Sequence, residues 1–382
     1  MKNIIVLMIA IVFIGSHKMY AQGTQDNSIK LQDLQLTNAP VFNLLDISPS
    51  SIDNPASTKA FAASILSAIN QGSGIPQNYA LEFTPFWYTK HPKYTSYTYF
   101  GVKSTGENMP FSQARLFSVS FAFINKDSTT NYGKLANHNA GLGVRTTLIR
   151  FFSRKTRDSI QSVSKDWYNS LKIAAEQLPT DVTQADVDKI QKILAARAHA
   201  SSYGEKIKTY LQEKPLFSLN IAAATNMTFE NNSFNGNRIN RSGIWMDADL
   251  ALQINKKDKS GKAVGPSSNY FNLSAVIRYI NDKDSLDAQK NHINANLFDY
   301  GLKAEFQIGK LSLAYEYIRR TSSLHSESNT YKSVGILHYK IRDGLFITGA
   351  FGQNFSRFNN LISTLGINLG LSNGSEKIDD KE

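Results

Sequence analysis

The chain has 382 residues, with 42 Lys or Arg against 31 Asp or Glu for a formal net charge of +11, and no cysteine. An exported protein with this composition has no disulfides to hold its fold. The basic residues are spread over the whole length without a compact Lys/Arg run, so the positive balance does not point to nucleic acid.

Met1-Lys2-Asn3 is a short basic start, Ile4 to Gly15 is a nearly unbroken apolar run, and Met19-Tyr20-Ala21 precedes Gln22. This is the order of a secretory signal, and the run falls short of the roughly 20 apolar residues of a membrane-spanning helix. Residues 1–21 are expected to be a signal peptide cleaved after Ala21. With no cysteine near that site, lipoprotein anchoring is excluded. No later stretch is long and apolar enough to span as a helix, so a membrane location leaves only a closed barrel, because backbone groups unpaired in lipid are costly. The mean hydropathy of −0.30 suits strands that are half polar.

Residues 22–78 form an N-terminal extension. It is polar to residue 37, then carries Ala39-Pro40-Val41-Phe42 and Leu44-Leu45. Ser57 or Thr58 is placed to cap a short helix with Phe61, Ile65 and Leu66 or Ile69 on one face. A segment of this mixed polarity ahead of the first strand either plugs the barrel or folds against its rim.

From Tyr79 onward the chain alternates apolar and polar residues in short segments, and successive strand side chains point to opposite faces. Phe298, Tyr300, Leu302, Ala304, Phe306 and Ile308 oppose Asp299, Gly301, Lys303, Glu305 and Gln307. Ile244, Met246, Ala248, Leu250, Leu252 and Ile254 oppose Trp245, Asp247, Asp249, Ala251 and Gln253. Similar faces recur around Phe117–Phe123, Phe217–Ala223, Phe271–Tyr279, Leu311–Tyr317 and Leu365–Leu371, with less regular members at 80–90, 94–103, 139–152, 330–342 and 345–357. One oily face and one ionic face, repeated along the chain, is the pattern of an inside-out barrel.

Loop lengths give the count. Gly309-Lys310 and Asp343-Gly344 are tight connections on the same side as the C-terminal tail. The longer polar connections Asn125 to His138, Glu230 to Asn240 and Asn281 to Asn294 fall on the other side. Placing the N-terminus on the tail side requires a strand at 94–103 and gives about twelve strands, with ten and fourteen as alternatives. The expected fold is therefore an all-β membrane protein, an antiparallel transmembrane β-barrel, with strands in 79–153 and 216–373 and a charged tail at 374–382.

Between the two strand sets, residues 154–215 are expected to be helical. Ile160, Val163, Trp167, Leu171, Ala174 and Leu178 recur at helical spacing, Val187, Ile190, Leu194 and Ala198 follow Pro179, and a third piece carries Tyr203, Ile207, Tyr210 and Leu211. Strand parity puts this α-helical insertion on the periplasmic side, and its length exceeds that of an ordinary connection. Ile160, Val163, Trp167, Leu171, Ile190 and Leu194 are its candidate partner-docking residues; the alternative is that the helices only pack on each other and on the barrel mouth.

The signal ending Tyr20-Ala21-Gln22, the segment Ala39 to Pro49, the run Asn78-Tyr79-Ala80-Leu81-Glu82-Phe83-Thr84-Pro85-Phe86-Trp87 and the repeated strands to Leu371 together resemble outer-membrane β-barrel proteins of the Bacteroidota type. The resemblance is to an architectural class and implies a cell outer-membrane location, with outer-membrane lipid as a partner. One feature departs from it. Many such barrels end on an aromatic residue read by the assembly machinery, whereas here a charged tail follows the last strand.

No motif marks an enzyme. No His-x-x-His or Glu-x-x-His pair suggests a metal, no cofactor signature appears, and the Ser and His residues form no recognisable triad. His338, between Leu337 and Tyr339, is expected on the polar face with Lys340. Asp247, Asp249, Arg278, Asp299, Lys303, Glu305, Glu316 and Lys340 are expected to face the lumen, either as a charge-selective constriction or as structural filling of a narrow barrel. The expected function is a non-catalytic subunit or scaffold of an outer-membrane complex that docks a protein partner through its helical insertion. A solute channel with a charged lumen is the alternative, and an outer-membrane hydrolase a distant third.

Overall fold

The computed structural model of the protein describes residues 29–30, 40–46, 62–63, 78–88, 96–115, 117–124, 129–130, 133–134, 138–176, 213–229, 236–254, 269–286, 292–324, 330–342, 345–355, 361–370 and 375–376. They form mostly antiparallel β-sheet. The principal sheet comprises β1 (Ala62–Ala63), β2 (Asn78–Phe83), β3 (Ser118–Ile124), β4 (His138–Phe151), β5 (Phe217–Phe229), β6 (Asn237–Gln253), β7 (Asn269–Leu286), β8 (His292–Ile308), β9 (Leu311–Ser322), β10 (Thr330–Arg342), β11 (Leu345–Gln353) and β12 (Leu361–Gly370). From β2 to β12 each strand pairs with its sequence neighbour, and β12 pairs at its end with β1. β1 and β2, the two ends of this order, lie side by side.

The two faces of the sheet are inverted relative to a water-soluble protein. Large apolar side chains are exposed on one face: Ile244 and Leu252 on β6, Leu273 and Ile277 on β7, Leu302 at 66% and Phe306 on β8, Leu313 and Tyr315 on β9. The opposite face is buried and charged, with Asp299, Glu316 and Lys332 all 0% exposed. The period of two decides which residue goes where, since a slip of one position would exchange the faces.

β6, β7 and β8 have 17, 18 and 17 residues. At roughly 3.4 Å per residue they span nearly 60 Å before tilt. Their pairing runs almost unbroken from Asn269 opposite Ile308 to Asp282 opposite Ala295. Because β5 to β8 continue so far, the connections read as 230–240 and 281–294 shrink to 230–236 and 287–291. By strand direction the 309–310 and 343–344 connections, the 152–216 segment and the end of β12 share one end of the sheet.

Three expectations are corrected. Of the strand expected at 94–103, the described residues 96–103 form none: Ser96–Phe100 is a short helix, α2, followed by an isolated bridge from Val102 to Asn108. Its apolar residues turn away from the sheet and join a separate cluster of Phe100, Val102, Phe152 and Ile160, and Arg115 Nη2 donates to the Thr98 carbonyl at 2.7 Å. The 80–90 strand stops at Phe83, where Pro85 opens a 3-10 turn over Pro85–Tyr88. Proline has no N–H to give to a ladder. Third, Ala62 and Ala63 within the helix expected after Ser57 form the strand β1 and pair with Gly370 and Leu369, while the other residues of that expected helix lie outside the described residues. An otherwise bare sheet edge outcompetes a short helix for these backbone groups. It is β1, not 94–103, that lies between the last strand and β2.

Of the expected helical insertion, the first helix is present as α3 (Arg154–Glu176). Ser153 caps it, its Oγ accepting from the Thr156 N–H at 3.1 Å. The pieces expected around 187–198 and 203–211 lie outside the described residues.

Candidate functional site

A five-residue helix, α1 (Pro40–Leu44), sits against the buried face of the sheet. The Leu45 N–H reaches the Val41 carbonyl at 3.1 Å, and Asp46 then turns the chain at a φ of 57°. That left-handed value is uncommon outside glycine and is tolerated best by Asp and Asn. Val41 and Leu44 are fully buried and pack with Ala122, Ala222, Trp245, Val276 and Ile280.

The sheet is shaped for this helix. A Cβ on Gly143 would lie 2.7 Å from Pro40 Cβ, one on Gly243 would lie 2.9 Å from Leu44 Cδ1, and one on Gly141 would run into Val41. Any larger residue at these places would exclude α1, so its position is built in.

Asp46 carries the chemistry. Arg278, Asp299 and Arg320 are direct cross-strand neighbours on β7, β8 and β9. Arg278 Nη2 lies 2.6 Å from both Asp46 Oδ1 and Asp299 Oδ2, and its Nη1 donates to the Asn43 carbonyl. Arg320 Nη2 lies 2.8 Å from Asp46 Oδ2 while its Nε donates to Asp299 Oδ1 at 2.7 Å. Arg241 stands 3.4 Å from both Asp46 and Asp282. The Arg320 guanidinium also stacks 3.7 Å over the Phe355 ring. Burial alone would push the Asp46 carboxyl's pKa up, but Arg320, Arg278 and Arg241 outweigh it and hold it well below the usual carboxylate range. Shared carboxylates and forked guanidinium contacts of this kind are the strong form of charged hydrogen bond.

A second polar group lies toward the tight-turn end. Asn220 Nδ2 donates to Asp247 Oδ2 at 2.7 Å, Ser274 donates to Asp249, and Ser312 Oγ donates to Glu305 Oε1 at 2.5 Å. Lys214 Nζ approaches Glu305 at 3.9 Å, and Lys332 pairs with Glu316 at 3.0 Å. Lys303 is buried in register between Ser274 and Glu316. Lys340 stands apart: it is half-buried near the last tight turn, with its N–H on the Lys310 carbonyl at 2.8 Å. His338 shares a hydrogen bond of 2.9 Å with Thr348.

The alternation in the sequence thus identifies Arg278 and Asp299 but misses the other members of their group, Asp46, Arg241, Asp282 and Arg320. Three of these follow from extending a strand: Arg320 from continuing the alternation of β9 past Tyr317, Asp282 from continuing β7 past Tyr279, and Arg241 from carrying β6 back before Ile244. Asp46 has no such signal, because a single turn of helix shows no period.

The candidate docking residues need one correction. Ile160 is fully buried, and it and Val163 pack with Phe100, Val102 and Phe152 of the same chain, so this part of the α3 stripe is already covered. The side chains of Trp167 and Leu171, and residues Ile190 and Leu194, lie outside the described residues. Among the described residues no cluster of three or more His, Asp or Glu has metal-holding geometry.

No family model and no curated protein matches this chain. Among solved structures it is similar to the NanC porin, with 8% identity over 77% of this chain and 91% of the porin chain, at a TM-score of 0.33. A likeness this loose carries no argument about solute or strand number.

Proposed function

We propose that the chain is an integral outer-membrane β-barrel, sealed at rest by α1, that serves as a non-catalytic membrane subunit or scaffold. The observation that carries the membrane reading is the inverted sheet. An exposed face of Ile, Leu, Phe and Tyr running across β6 to β10, with charged residues buried behind it, has no reason to exist in water and suits lipid. Closure into a barrel is supported by the neighbouring positions of β1 and β2, since an unpaired edge in lipid is costly. The filled interior favours a scaffold over an open pore: α1, Trp245 and the arginine–carboxylate group occupy the space behind β4 to β9.

The test is extraction of the tagged protein from its native outer membrane in mild detergent, with native sizing and identification of co-purifying chains. A stoichiometric partner supports the scaffold reading. A lone barrel that conducts steadily in a planar bilayer overturns it in favour of the channel.

A further inference from the structure

With α1 in place, Arg241, Arg278 and Arg320 are joined through Asp46, Asp282 and Asp299 into one connected group. Take Asp46 away and each of the three guanidiniums loses a carboxylate contact. The strands supply all of the residual group, while Asp46 comes from the turn that follows a separate short helix ahead of the sheet.

Simple filling does not account for this arrangement. Burying ion pairs is costly, and well-packed apolar residues would close α1 onto the sheet at least as stably. What the ionic group adds is discrimination: it accepts a carboxylate at one place, and three guanidiniums lose a contact when that carboxylate is gone. The Asp46 carboxylate is held by two guanidiniums at 2.6 and 2.8 Å, with a third at 3.4 Å, and the Trp245 and Phe355 rings belong to the surrounding cluster. This is a cradle in which a free carboxylate would find the same partners.

We propose that Arg241, Arg278 and Arg320 form a latent carboxylate-binding constriction of the barrel, which Asp46 keeps shut as a tethered copy of the ligand. The ligand class is a small carboxylate-bearing solute. The proposal rests on the barrel reading and goes beyond it, because it gives the sealed interior a conducting state.

The experiment uses the full chain reconstituted in planar bilayers. Wild type is expected to be closed. Asp46→Asn is expected to open steps whose reversal potential in a KCl gradient lies toward chloride, succinate is expected to reduce that current, and Asp46→Glu is expected to stay closed. A folded Asp46→Asn barrel that is silent, that prefers cations, or that ignores succinate overturns the proposal. Should Asp46→Asn fail to fold, the absence of native cysteine allows a second route through Leu45→Cys. The introduced thiol is buried while α1 is seated. Succinate at tens of millimolar, competing with a tethered group whose effective concentration is of millimolar order, is expected to quicken maleimide labelling about twofold or more over KCl of equal ionic strength. Unchanged labelling overturns the proposal. A chain that does not enter the bilayer at all instead overturns the barrel reading beneath it.

Discussion

β6 to β9 and the segment around α1 are built on opposite plans. In β6 to β9 exposed and buried residues alternate with a period of two, the outward face apolar and the charged residues inward, and each strand is held by two sequence neighbours. α1 has a single turn, and its place is fixed by partners far along the chain, from Ala122 and Gly143 to Arg278 and Arg320. The difference separates what makes the fold from what fills it. Local alternation is enough to form the wall, whereas the interior depends on contacts no local pattern announces.

The strongest test of that contrast is Asp299→Ala. It removes the carboxylate shared by Arg278 and Arg320 and leaves two buried guanidiniums short of charge. The expected loss is about 3–5 kcal/mol in reversible unfolding from lipid vesicles. A loss below about 1 kcal/mol would mean that water or ions replace the carboxylate freely, and that the interior is not sealed.

Leu302→Arg tests the wall. Leu302 is 66% exposed in the middle of the apolar face of β8. In lipid the change is expected to cost about 2–4 kcal/mol, while in a water-exposed sheet it would cost nothing. The same unfolding assay therefore decides whether that face meets lipid.

A smaller effect is expected at the junction of the two regions. Gly141→Ala drives a methyl group into Val41, with the Thr225 carbonyl of β5 also 3.0 Å away, and touches no charge. Overpacking of this kind costs about 1–3 kcal/mol, and here it should unseat α1 while leaving the wall intact. Faster labelling of a Leu45→Cys thiol, with unchanged heat-modifiable mobility on electrophoresis, is the expected result.

Ile160→Val reaches outside the sheet. Ile160 joins α3 to α2, and loss of one buried methyl is expected to cost about 1 kcal/mol. The loss should appear as faster hydrogen exchange in α3 alone. If exchange also quickens in β4 or β5, the helix is bracing the wall and not merely resting on its rim.

These contrasts also explain which parts can be read from sequence. The faces of β6, β7, β8 and β9 are legible because Asp247, Asp249, Arg278, Asp299, Lys303, Glu305 and Glu316 each fall between two apolar residues of their own strand. The 94–103 segment misleads because Tyr and Thr have strand propensity on their own, and only the contacts of Phe100 and Val102 with Phe152 and Ile160 decide against a strand. The 3-10 turn at Pro85 is signalled by the proline itself. Asp46 is not signalled at all: its role arises from three arginines on three different strands.

The smallest expected effect concerns pH. The Asp46 pKa is held below that of the unfolded chain, the arginines outweighing the cost of burial. A carboxyl with a lowered folded pKa stabilises the fold fully above the unfolded value, and that contribution is lost as pH falls toward the folded one. Seating of α1 should therefore not change between about pH 8 and pH 5, and should weaken only through the acid range below about pH 4. Exposure of an environment-sensitive fluorophore on Leu45→Cys, followed against pH, reads this directly. A transition near neutrality would mean that a group other than Asp46 controls the seat. A flat profile that bends only in acid, and that goes flat throughout in Asp46→Asn, would assign the control to the one carboxylate that joins the two regions.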